Sequence, residues 1–479
     1  MLADFSLLDP VAAGGDAWAH TTDSAYVQAL LDVEAAWVAT LADAGLAPEG
    51  AAEAVTAAAA VGEYDLVCLA ERVRGGANVL IPLLGDLRAR TRDHARAAGA
   101  DEEQVQAAAA VVHRGATSQD IMDTAAMLVA QRAGRALVGQ VADASAALAR
   151  LAEEHRGTLC VARSLTQHAV PTTFGLRAAG WLSGVATAAD RVRAAVATLP
   201  LQWGGAAGTQ AALADYLDRE RAQITTAELT SALAHRLGLA DPGAPWHTQR
   251  MTVTGLGAAL ADVPAAAGKI ANDVLFAARP EVGELGEPTG AGRGGSSAMP
   301  QKQNPVLAVT LKQAALAAPS SLAQLYTAVG AANDERPDGG WHAEWSALRT
   351  LLRTAGGAAE QLAELTAGLR VHPERMRANL ELSGALVVSE RIMARLAPHA
   401  RLTHADRAAV TGKAAITELV QTAAATGQPL GALLREAVPR EAVTDAELEA
   451  LLDPADYLGT ADSLIDAHLD AYRKLNLHD

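Results

Sequence analysis

The chain has 479 residues, half of them apolar, which is enough for a large buried core and more than one domain. Aromatic residues make up only 3% of the sequence, whereas alanine, the strongest helix former, is abundant; this composition predicts an all-α fold. The formal charge of −16 and the lack of a basic cluster argue against nucleic acid as a partner, although a few local cations would suffice for a small anionic substrate.

The first ten residues contain no basic segment and no long apolar run, so we expect no signal peptide. No later stretch of roughly 18 residues is both apolar and uncharged, which argues against a membrane span. Cys68 and Cys160 lack metal-ligand spacing and are typical of buried, small hydrophobic residues in a reducing compartment. These features predict a cytoplasmic protein.

The N-terminal part of the chain predicts helices separated by turns. Residues 23–43 repeat apolar residues at helical spacing, and Gly45 and Pro48 end this helix. Shorter helices follow to about residue 110, with a break at GGANVLIPL, residues 75–83. We assign residues 1–111 to an N-terminal helical domain.

The centre of the chain predicts five long helices. The first runs over residues 118–154 without proline, which corresponds to about 55 Å of helix. The others cover residues 172–198, residues 248–278 with a probable kink at Pro264, a segment starting near Pro305, and residues 341–368. One subunit cannot cover so many apolar helical faces, so we predict a homotetramer with these helices at its core. Residues 112–370 are assigned to this central bundle domain and residues 371–479 to a small C-terminal helical domain.

Residues 283–305 separate the third and fourth long helices and form a glycine-rich loop without apolar periodicity. A long loop inside a helical protein is usually a functional lid or disordered. Its end, GSSAMPQKQNP, brings two hydroxyls, one cation and one amide together, which suits an anion site in which Lys302 stabilises negative charge. A serine acts as a base only when a cation or oriented dipoles lower its pKa. The alternative is a flexible Ser/Gly lid with Lys302 in solvent.

GSSAMPQKQNP resembles the GSSxMPxKxN signature of the fumarase/aspartase superfamily. HRGATSQDIMDTA and LTQHAVPTTFG, which start at residues 113 and 165, resemble its first and second conserved regions. LQWGGAAGTQAAL and DERPDGGWHAEW resemble the branch that contains 3-carboxy-cis,cis-muconate cycloisomerases, which nitrosuccinate lyases also resemble. The resemblance covers nearly the whole chain and implies the all-α superfamily fold.

The resemblance assigns roles to residues of the loop. Ser296 is expected to be the catalytic base, on a loop that closes over the substrate. Lys302 and Asn304 are expected to hold the carboxylate beside the carbanion, and Met299 to contact the substrate.

Thr117, Ser118 and Gln119 precede or begin the first long helix, where free N–H groups and hydroxyls suit carboxylate binding. The resemblance gives the Thr-Ser pair this role. N-capping of the helix is the alternative, and it is compatible with binding.

Two further residues are candidates for substrate binding. Arg336 would clamp a second carboxylate; the alternative is a surface ion pair with Glu335 or Asp338. Asn78, in the GGAN break, is a weaker candidate; the alternative is that it only stabilises a turn.

Polar residues beside tryptophans form a third group of candidates. His247 and Gln249 lie in WHTQR, and His342 lies in WHAEW. Residues in such positions are more often structural than functional, and of the three we retain Gln249 as a candidate substrate-binding residue.

The chain departs from its relatives at two places. Many relatives have a catalytic histidine in the second region, at the position that Leu165 occupies here, whereas cycloisomerases also lack it. His168, about one turn further on if this segment is helical, is a candidate substitute acid. The alternative is that His168 has only a packing role. The loop reads MPQKQNP where cycloisomerases often have MPHKRNP. Glutamine at both positions removes positive charge that would favour a tricarboxylate, so the loop is better suited to a smaller dicarboxylate substrate.

No His/Cys/Asp cluster has ligand spacing and no Gly-rich dinucleotide motif follows a strand, so we expect neither a metal nor an organic cofactor. The expected partners are a small anionic di- or tricarboxylate and further copies of the chain, with active sites shared between subunits.

The preferred function is β-elimination from a 2-substituted succinate to give fumarate, with Ser296 removing the Cβ proton. The leaving group would need little protonation, as nitrite does, so nitrosuccinate is one such substrate. The alternatives are a 3-carboxy-cis,cis-muconate cycloisomerase and, more remotely, a catalytically silent structural homologue.

Overall fold

The computed structural model describes residues 6–290, 292–296 and 298–477. Its N-terminal part contains six helices: α1 (Asp16–Ala19), α2 (Asp23–Asp43), α3 (Ala51–Ala58), α4 (Leu66–Gly76), α5 (Leu80–Ala97) and α6 (Glu102–Val111). The helix predicted over residues 23–43 is confirmed. It begins where the Thr22 hydroxyl accepts a hydrogen bond from the Ala25 N–H, which satisfies one free donor of the first turn.

The five long helices of the centre are confirmed, with ends within a few residues of the predicted ones. They are α7 (Ser118–Glu154), α8 (Phe174–Ala197), α11 (Met251–Ala277), α12 (Val306–Gly330) and α13 (Gly340–Ala367). Two shorter helices, α9 (Ala211–Arg219) and α10 (Thr226–Leu237), lie between α8 and α11. Helix α7 packs along α8 and α13, and α12 lies between α11 and α13. Pro264 lies inside α11 as predicted, and α12 also contains a proline, Pro319.

Small residues bring these helices close together. A Cβ added at Gly268 of α11 would come 2.5 Å from the Ala315 side chain of α12. A Cβ at Gly357 of α13 would overlap the backbone carbonyl oxygen of Val11. The abundance of alanine and glycine thus has a packing function besides its effect on helix propensity.

An antiparallel hairpin connects α7 with α8. Its strands are β1 (Leu159–Ser164) and β2 (Gln167–Thr173), and Leu165 and Thr166 form the turn with positive φ angles. Two further pairs of two-residue strands are β3 (Leu285–Gly286) with β4 (Arg370–Val371), and β5 (Arg401–Leu402) with β6 (Val410–Thr411). The chain is therefore mostly helical, with this hairpin as an element that the sequence did not predict.

The C-terminal part contains α14 (Pro373–Glu381), α15 (Ser389–Leu396), α16 (Gly412–Thr426), α17 (Leu430–Ala437), α18 (Asp445–Leu452) and α19 (Ala461–Arg473). Short 3₁₀ turns occupy Val61–Glu63, Gly384–Val388, Ala397–His399 and Pro454–Asp456. Helices α15 to α18 enclose their own apolar cluster, whereas α19 returns to pack against α8 of the central bundle. The proposed domain boundaries after residues 111 and 370 stay predictions.

Helix α12 leaves large apolar side chains in contact with solvent in the single chain. Val309, Leu316 and Tyr326 are 52%, 71% and 52% exposed. By length and composition alone α12 could cross a membrane, but one such helix is weak evidence for a span. An exposed apolar face on a central helix is also what the predicted subunit interface requires.

The two cysteines differ in environment. Cys160 is buried in β1, and burial raises the pKa of its thiol to about 11. Cys68 is exposed on α4, so the expectation that it is buried is wrong.

Candidate active site

The N-terminus of α7 brings Thr117 and Arg336 together. Thr117 is the N-cap residue of α7, and its Oγ1 accepts a 2.7 Å hydrogen bond from Arg336 Nη2. Arg336 forms no ion pair with Glu335 or Asp338 among the described residues, so the surface-pair alternative does not hold. Ser118 is half-buried as the first residue of the helix. A hydroxyl, a guanidinium and a helix N-terminus therefore converge, which suits an anionic ligand.

Asp120 connects this helix end to the loop after α8. Its buried carboxylate accepts hydrogen bonds from the N–H groups of Thr117 (2.9 Å), Gly204 (2.6 Å) and Gly205 (3.0 Å). Burial raises the pKa of Asp120 to about 6, although the three N–H donors oppose this shift. The loop passes so close to His247 that a Cβ at Gly204 would lie 3.1 Å from the imidazole Nδ1. The sequence analysis missed Asp120 as an anchor of the site.

Gln119 and His247 lie in the same cluster. Gln119 Nε2 donates to the His247 carbonyl oxygen at 2.7 Å, and His247 Nδ1 lies 3.0 Å from Gln202 Nε2. Burial lowers the pKa of His247, and the positive charge of Arg336 lowers it further. We call Thr117, Gln119, Gln202, His247 and Arg336 the Thr117 cluster.

Buried polar atoms without a hydrogen-bond partner gather at this cluster. In the described part of the chain, eight buried side-chain atoms have no partner. Four of them belong to the Thr117 cluster or its neighbour Trp203: Gln119 Oε1, Trp203 Nε1, His247 Nε2 and Arg336 Nε. An unsatisfied buried polar group costs about 1–3 kcal/mol, so their concentration at one place points to a ligand site. Three of the four atoms are hydrogen-bond donors or can be, as an anion requires.

A buried ion network lies beside the cluster. Arg250 is 2% exposed and donates to Asp123 (2.6 and 3.0 Å) and to Glu344 (2.6 Å). Asp123 also accepts from Trp341 Nε1 at 2.9 Å. These contacts fix the beginnings of α11 and α13 against α7. In the sequence, the only indication of this ion network is that charged residues interrupt otherwise apolar helical faces.

Two predicted residues lie outside the Thr117 cluster. Asn78 lines a cleft of about 510 Å³ that Asp123 and Arg250 also line. Its Oδ1 accepts a hydrogen bond from Leu80 N at 3.1 Å, as a turn residue at the start of α5 would. Gln249 is exposed directly before α11, and no hydrogen bond between described residues joins it to the cluster.

The loop with the family signature carries the predicted base. Ser296 Oγ accepts hydrogen bonds from the N–H groups of Met299 (3.1 Å) and Ala298 (3.3 Å). Such N–H groups stabilise negative charge on the serine oxygen and so favour its ionised form. Asn304 Nδ2 donates to the Gly294 carbonyl at 3.1 Å, which closes the base of the loop. We call residues 294–305 the Ser296 loop.

The side chains that would meet the substrate in the Ser296 loop are open to solvent. Lys302 and Met299 are exposed, so neither is held against a partner element in the single chain. Ser297 lies outside the described residues. The loop therefore presents the predicted base and the predicted cation on a surface that a ligand or another subunit can reach.

His168 lies in β2, so the segment after Leu165 is not helical and the two residues are not one helical turn apart. Leu165 is 95% exposed in the turn of the hairpin, whereas His168 is half-buried and its Nδ1 lies 2.8 Å from Ser383 Oγ. Burial and then the charge of Arg163 lower the pKa of His168. These contacts fix the ring, while its Nε2 has no described protein partner in the hydrogen-bond network.

The Thr117 cluster and the Ser296 loop lie at opposite ends of the bundle. Helix α12, with 25 residues, follows the loop and ends just before the segment that carries Arg336, a distance of about 37 Å along the helix. The hairpin is at the loop end, because Arg163 of β1 pairs with Glu284 (2.6 Å) directly before the loop. The predicted site residues therefore do not converge within one chain, and we call these two groups of candidate residues half-sites.

Comparisons with known proteins identify the family and several relatives of the chain. The protein-family model for Lyase matches residues 14–319. The chain is 47% identical to a nitrosuccinate lyase from Streptomyces davaonensis over 97% of this chain and 94% of the relative. It is 36% identical to a 3-carboxy-cis,cis-muconate cycloisomerase from Bradyrhizobium diazoefficiens over 98% of each chain. The crystal structure of 3-carboxy-cis,cis-muconate lactonizing enzyme from Pseudomonas putida superposes with a TM-score of 0.85 at 32% identity, over 98% of this chain and 99% of that one.

Proposed function

The chain belongs to the lyases of the fumarase/aspartase superfamily, and from this membership we propose that it eliminates a leaving group from a 2-substituted succinate to give fumarate. Nitrosuccinate, with nitrite as the leaving group, is the preferred substrate. The observation that carries the proposal is the similarity over almost the full length to a relative named nitrosuccinate lyase, which exceeds the similarity to the cycloisomerases.

The Ser296 loop supports the first step of this reaction. The alkoxide of Ser296 would take the proton from the substrate Cβ, and the N–H groups of Ala298 and Met299 favour that alkoxide. The electron pair of the broken C–H bond would move into the adjacent carboxylate as an enediolate. Lys302 and Asn304 would stabilise this charge.

The second step needs no strong acid. As the enediolate collapses, the C–N bond breaks, nitrite leaves with the bonding pair, and the Cα–Cβ double bond of fumarate forms. Nitrite is stable as an anion, so the absence of a histidine at position 165 is compatible with the reaction. We assign His168, whose Nε2 is not engaged by Ser383, as the residue of the hairpin that would contact the leaving group.

The substrate must be held by two subunits if both half-sites take part. The Thr117 cluster offers donors for one carboxylate, and the Ser296 loop offers a base and a cation for the other. Because about 37 Å of α12 separates them in one chain, we propose that a homotetramer joins the cluster of one subunit to the loop of another. The expected cytoplasmic location stays a prediction.

The test is a panel of substituted succinates monitored by the ultraviolet absorbance of fumarate. We expect turnover of nitrosuccinate, with equal amounts of fumarate and nitrite formed. A panel that includes malate and aspartate distinguishes nitrite loss from hydration and deamination chemistry. No fumarate from any member would refute the proposed reaction.

The specific alternative is a 3-carboxy-cis,cis-muconate cycloisomerase. It is favoured by the full-length similarity to several proteins of that name and to their crystal structures. The same assay with 3-carboxy-cis,cis-muconate decides between the two, because lactone formation removes the conjugated diene absorbance. A silent homologue would turn over neither compound.

A further inference from the structure

The orientation of the Gln202 amide is fixed by two neighbours. Its Oε1 accepts the Trp246 backbone N–H at 3.0 Å, so the oxygen end of the amide is identified. Its Nε2 therefore faces His247 Nδ1, at 3.0 Å. An amide NH₂ group only donates, so His247 Nδ1 must accept this hydrogen bond and carry no proton.

The proton of a neutral His247 is consequently on Nε2. That atom is buried and has no hydrogen-bond partner in the described part of the chain, and His247 is only 5% exposed. The ring cannot easily turn away, because Gln119 holds the His247 carbonyl and Gly204 and Gly208 pack against the imidazole. The Thr117 cluster therefore contains an oriented N–H donor that no acceptor among the described residues satisfies.

The charge around His247 favours the neutral ring. A second proton, on Nδ1, would face the N–H donors of the Gln202 NH₂ group and could not form a hydrogen bond with them. Burial and the positive charge of Arg336 also both lower the pKa of His247. Asp123 raises the pKa of His247 and Arg250 lowers it, and these two groups pair with each other in the buried ion network. The imidazole is thus a fixed neutral donor beside a permanent cation.

We propose that His247 is a substrate-binding residue whose Nε2–H donates a hydrogen bond to an anionic oxygen of the dicarboxylate substrate, beside Arg336 and Thr117. This inference rests on the proposed function and extends it to a residue that the sequence gave no reason to prefer. Gln202 has a positioning role, because it sets the tautomer that makes Nε2 a donor. The ligand class is a carboxylate, or an isosteric nitro group, that presents oxygen acceptors to the cluster.

A competing partner is the Ala206 carbonyl. It has a small effect that raises the pKa of His247, but it does not meet hydrogen-bond geometry with the ring. If a small movement of the loop gave the Nε2 proton to Ala206, His247 would be a structural residue. The experiment must separate these two roles.

The binding test uses succinate, which has both carboxylates but no leaving group, and measures its dissociation constant by calorimetry on the assembled protein. His247→Phe keeps the ring volume and removes the donor, and we expect about 10- to 100-fold weaker binding. His247→Gln keeps an N–H near the position of Nε2 and should bind within a few-fold of the wild type. His94→Phe, at a half-buried histidine paired with Glu63, is the matched control and should bind normally.

With a substrate that is turned over, His247→Phe should raise KM more than it lowers kcat. Unchanged succinate affinity in His247→Phe, or a wild-type protein that does not bind succinate, would overturn the inference. Turnover of nitrosuccinate with an unchanged KM in His247→Phe would reject the role of His247 and leave the proposed reaction intact. Succinate binding that depends on His247, without fumarate from any substrate, would reject the reaction and leave the binding role intact.

A second measurement observes the protonation of His247 in the wild-type protein. In solid-state NMR spectra of the wild-type protein with ¹⁵N-labelled histidine, we expect one imidazole ring with a protonated Nε2 and an unprotonated Nδ1. The Nε2 resonance of this ring should shift when succinate is added. The spectrum of His247→Gln, which lacks that signal, assigns it. A protonated Nδ1 at His247, or an Nε2 signal that saturating succinate leaves in place, would contradict the inference.

Discussion

Two backbone hydrogen bonds stabilise negative charge on the Ser296 hydroxyl oxygen. Its hydroxyl oxygen accepts two backbone N–H groups from the residues that follow, so the loop polarises the oxygen before any substrate is present. The cation expected to assist, Lys302, is exposed in the single chain. In the proposed reaction, these backbone N–H groups would activate Ser296 without help from Lys302 of the same chain.

Replacement of Ser296 by alanine should separate catalysis from binding. Ser296→Ala removes the base while Lys302, Asn304 and Thr117 still hold the carboxylates, so we expect kcat to fall by several orders of magnitude with little change in KM. Steady-state kinetics on nitrosuccinate measure both. Ser297→Ala, at a position outside the described residues, should be milder and serves as the control. Near-normal kcat in Ser296→Ala would exclude a serine-initiated carbanion.

Asp120 should make the stability of the protein depend on pH. Its pKa is raised to about 6 by burial, so the folded chain holds this proton more tightly than the unfolded chain, and the unfolding free energy falls as pH rises through that value. Relative to Asp120→Asn, which does not titrate, we expect the wild type to lose about 1 kcal/mol between about pH 5 and pH 7. Urea denaturation at fixed protein concentration measures the difference. A difference that stays constant or rises would show that the N–H donors outweigh burial.

The sequence predicted some of these residues and not others. The resemblance predicted Thr117, Ser296 and Arg336 as candidate site residues, because a family signature assigns roles to positions in the sequence. Asp120 and Arg250 were missed because their partners are distant in sequence: Gly204 is 84 positions from Asp120, and Asp123 is 127 positions from Arg250. Local patterns contain no information about such pairs.

The helices and the hairpin differed in how well the sequence predicted them. Helix α7 could be predicted because it lacks proline and repeats apolar residues, both of which are local signals. The hairpin β1–β2 could not, because its turn is Leu165-Thr166 at positive φ, whereas two-residue turns usually contain glycine or asparagine. Without that signal the segment resembled an irregular connection between two helices.

Close packing of α13 should make it sensitive to a single methyl group. Gly357→Ala would place a Cβ on the Val11 carbonyl oxygen, so the N-terminal segment or the helix must move, and we expect a loss of about 1–3 kcal/mol in unfolding free energy. Gly139→Ala is the matched control, because this exposed glycine of α7 has nothing within 4 Å of the added Cβ. That control should stabilise the helix by about 0.5–1 kcal/mol. Equal effects of the two substitutions in thermal and chemical denaturation would contradict the packing argument.

At the scale of the whole molecule, the separation of the two half-sites predicts complementation between inactive variants. Ser296→Ala and Thr117→Ala each damage a different half-site. If each site takes its halves from different subunits, random exchange in an equal mixture restores about a quarter of the sites. Activity after verified subunit exchange, with each variant alone as the control, measures this. No recovery would mean that both halves come from one chain, and a monomer in light scattering would exclude the tetramer.

The length of α12 also has a genetic consequence. A chain in which both Ser296 and Thr117 are replaced would inactivate every shared site to which either of its half-sites contributes when it assembles with normal chains. In a cell that makes equal amounts of the two, about a quarter of the sites would keep both normal halves, whereas half would survive if each chain carried a complete site. The double variant would therefore behave as a dominant inhibitor of its own normal allele, although it gains no new contact.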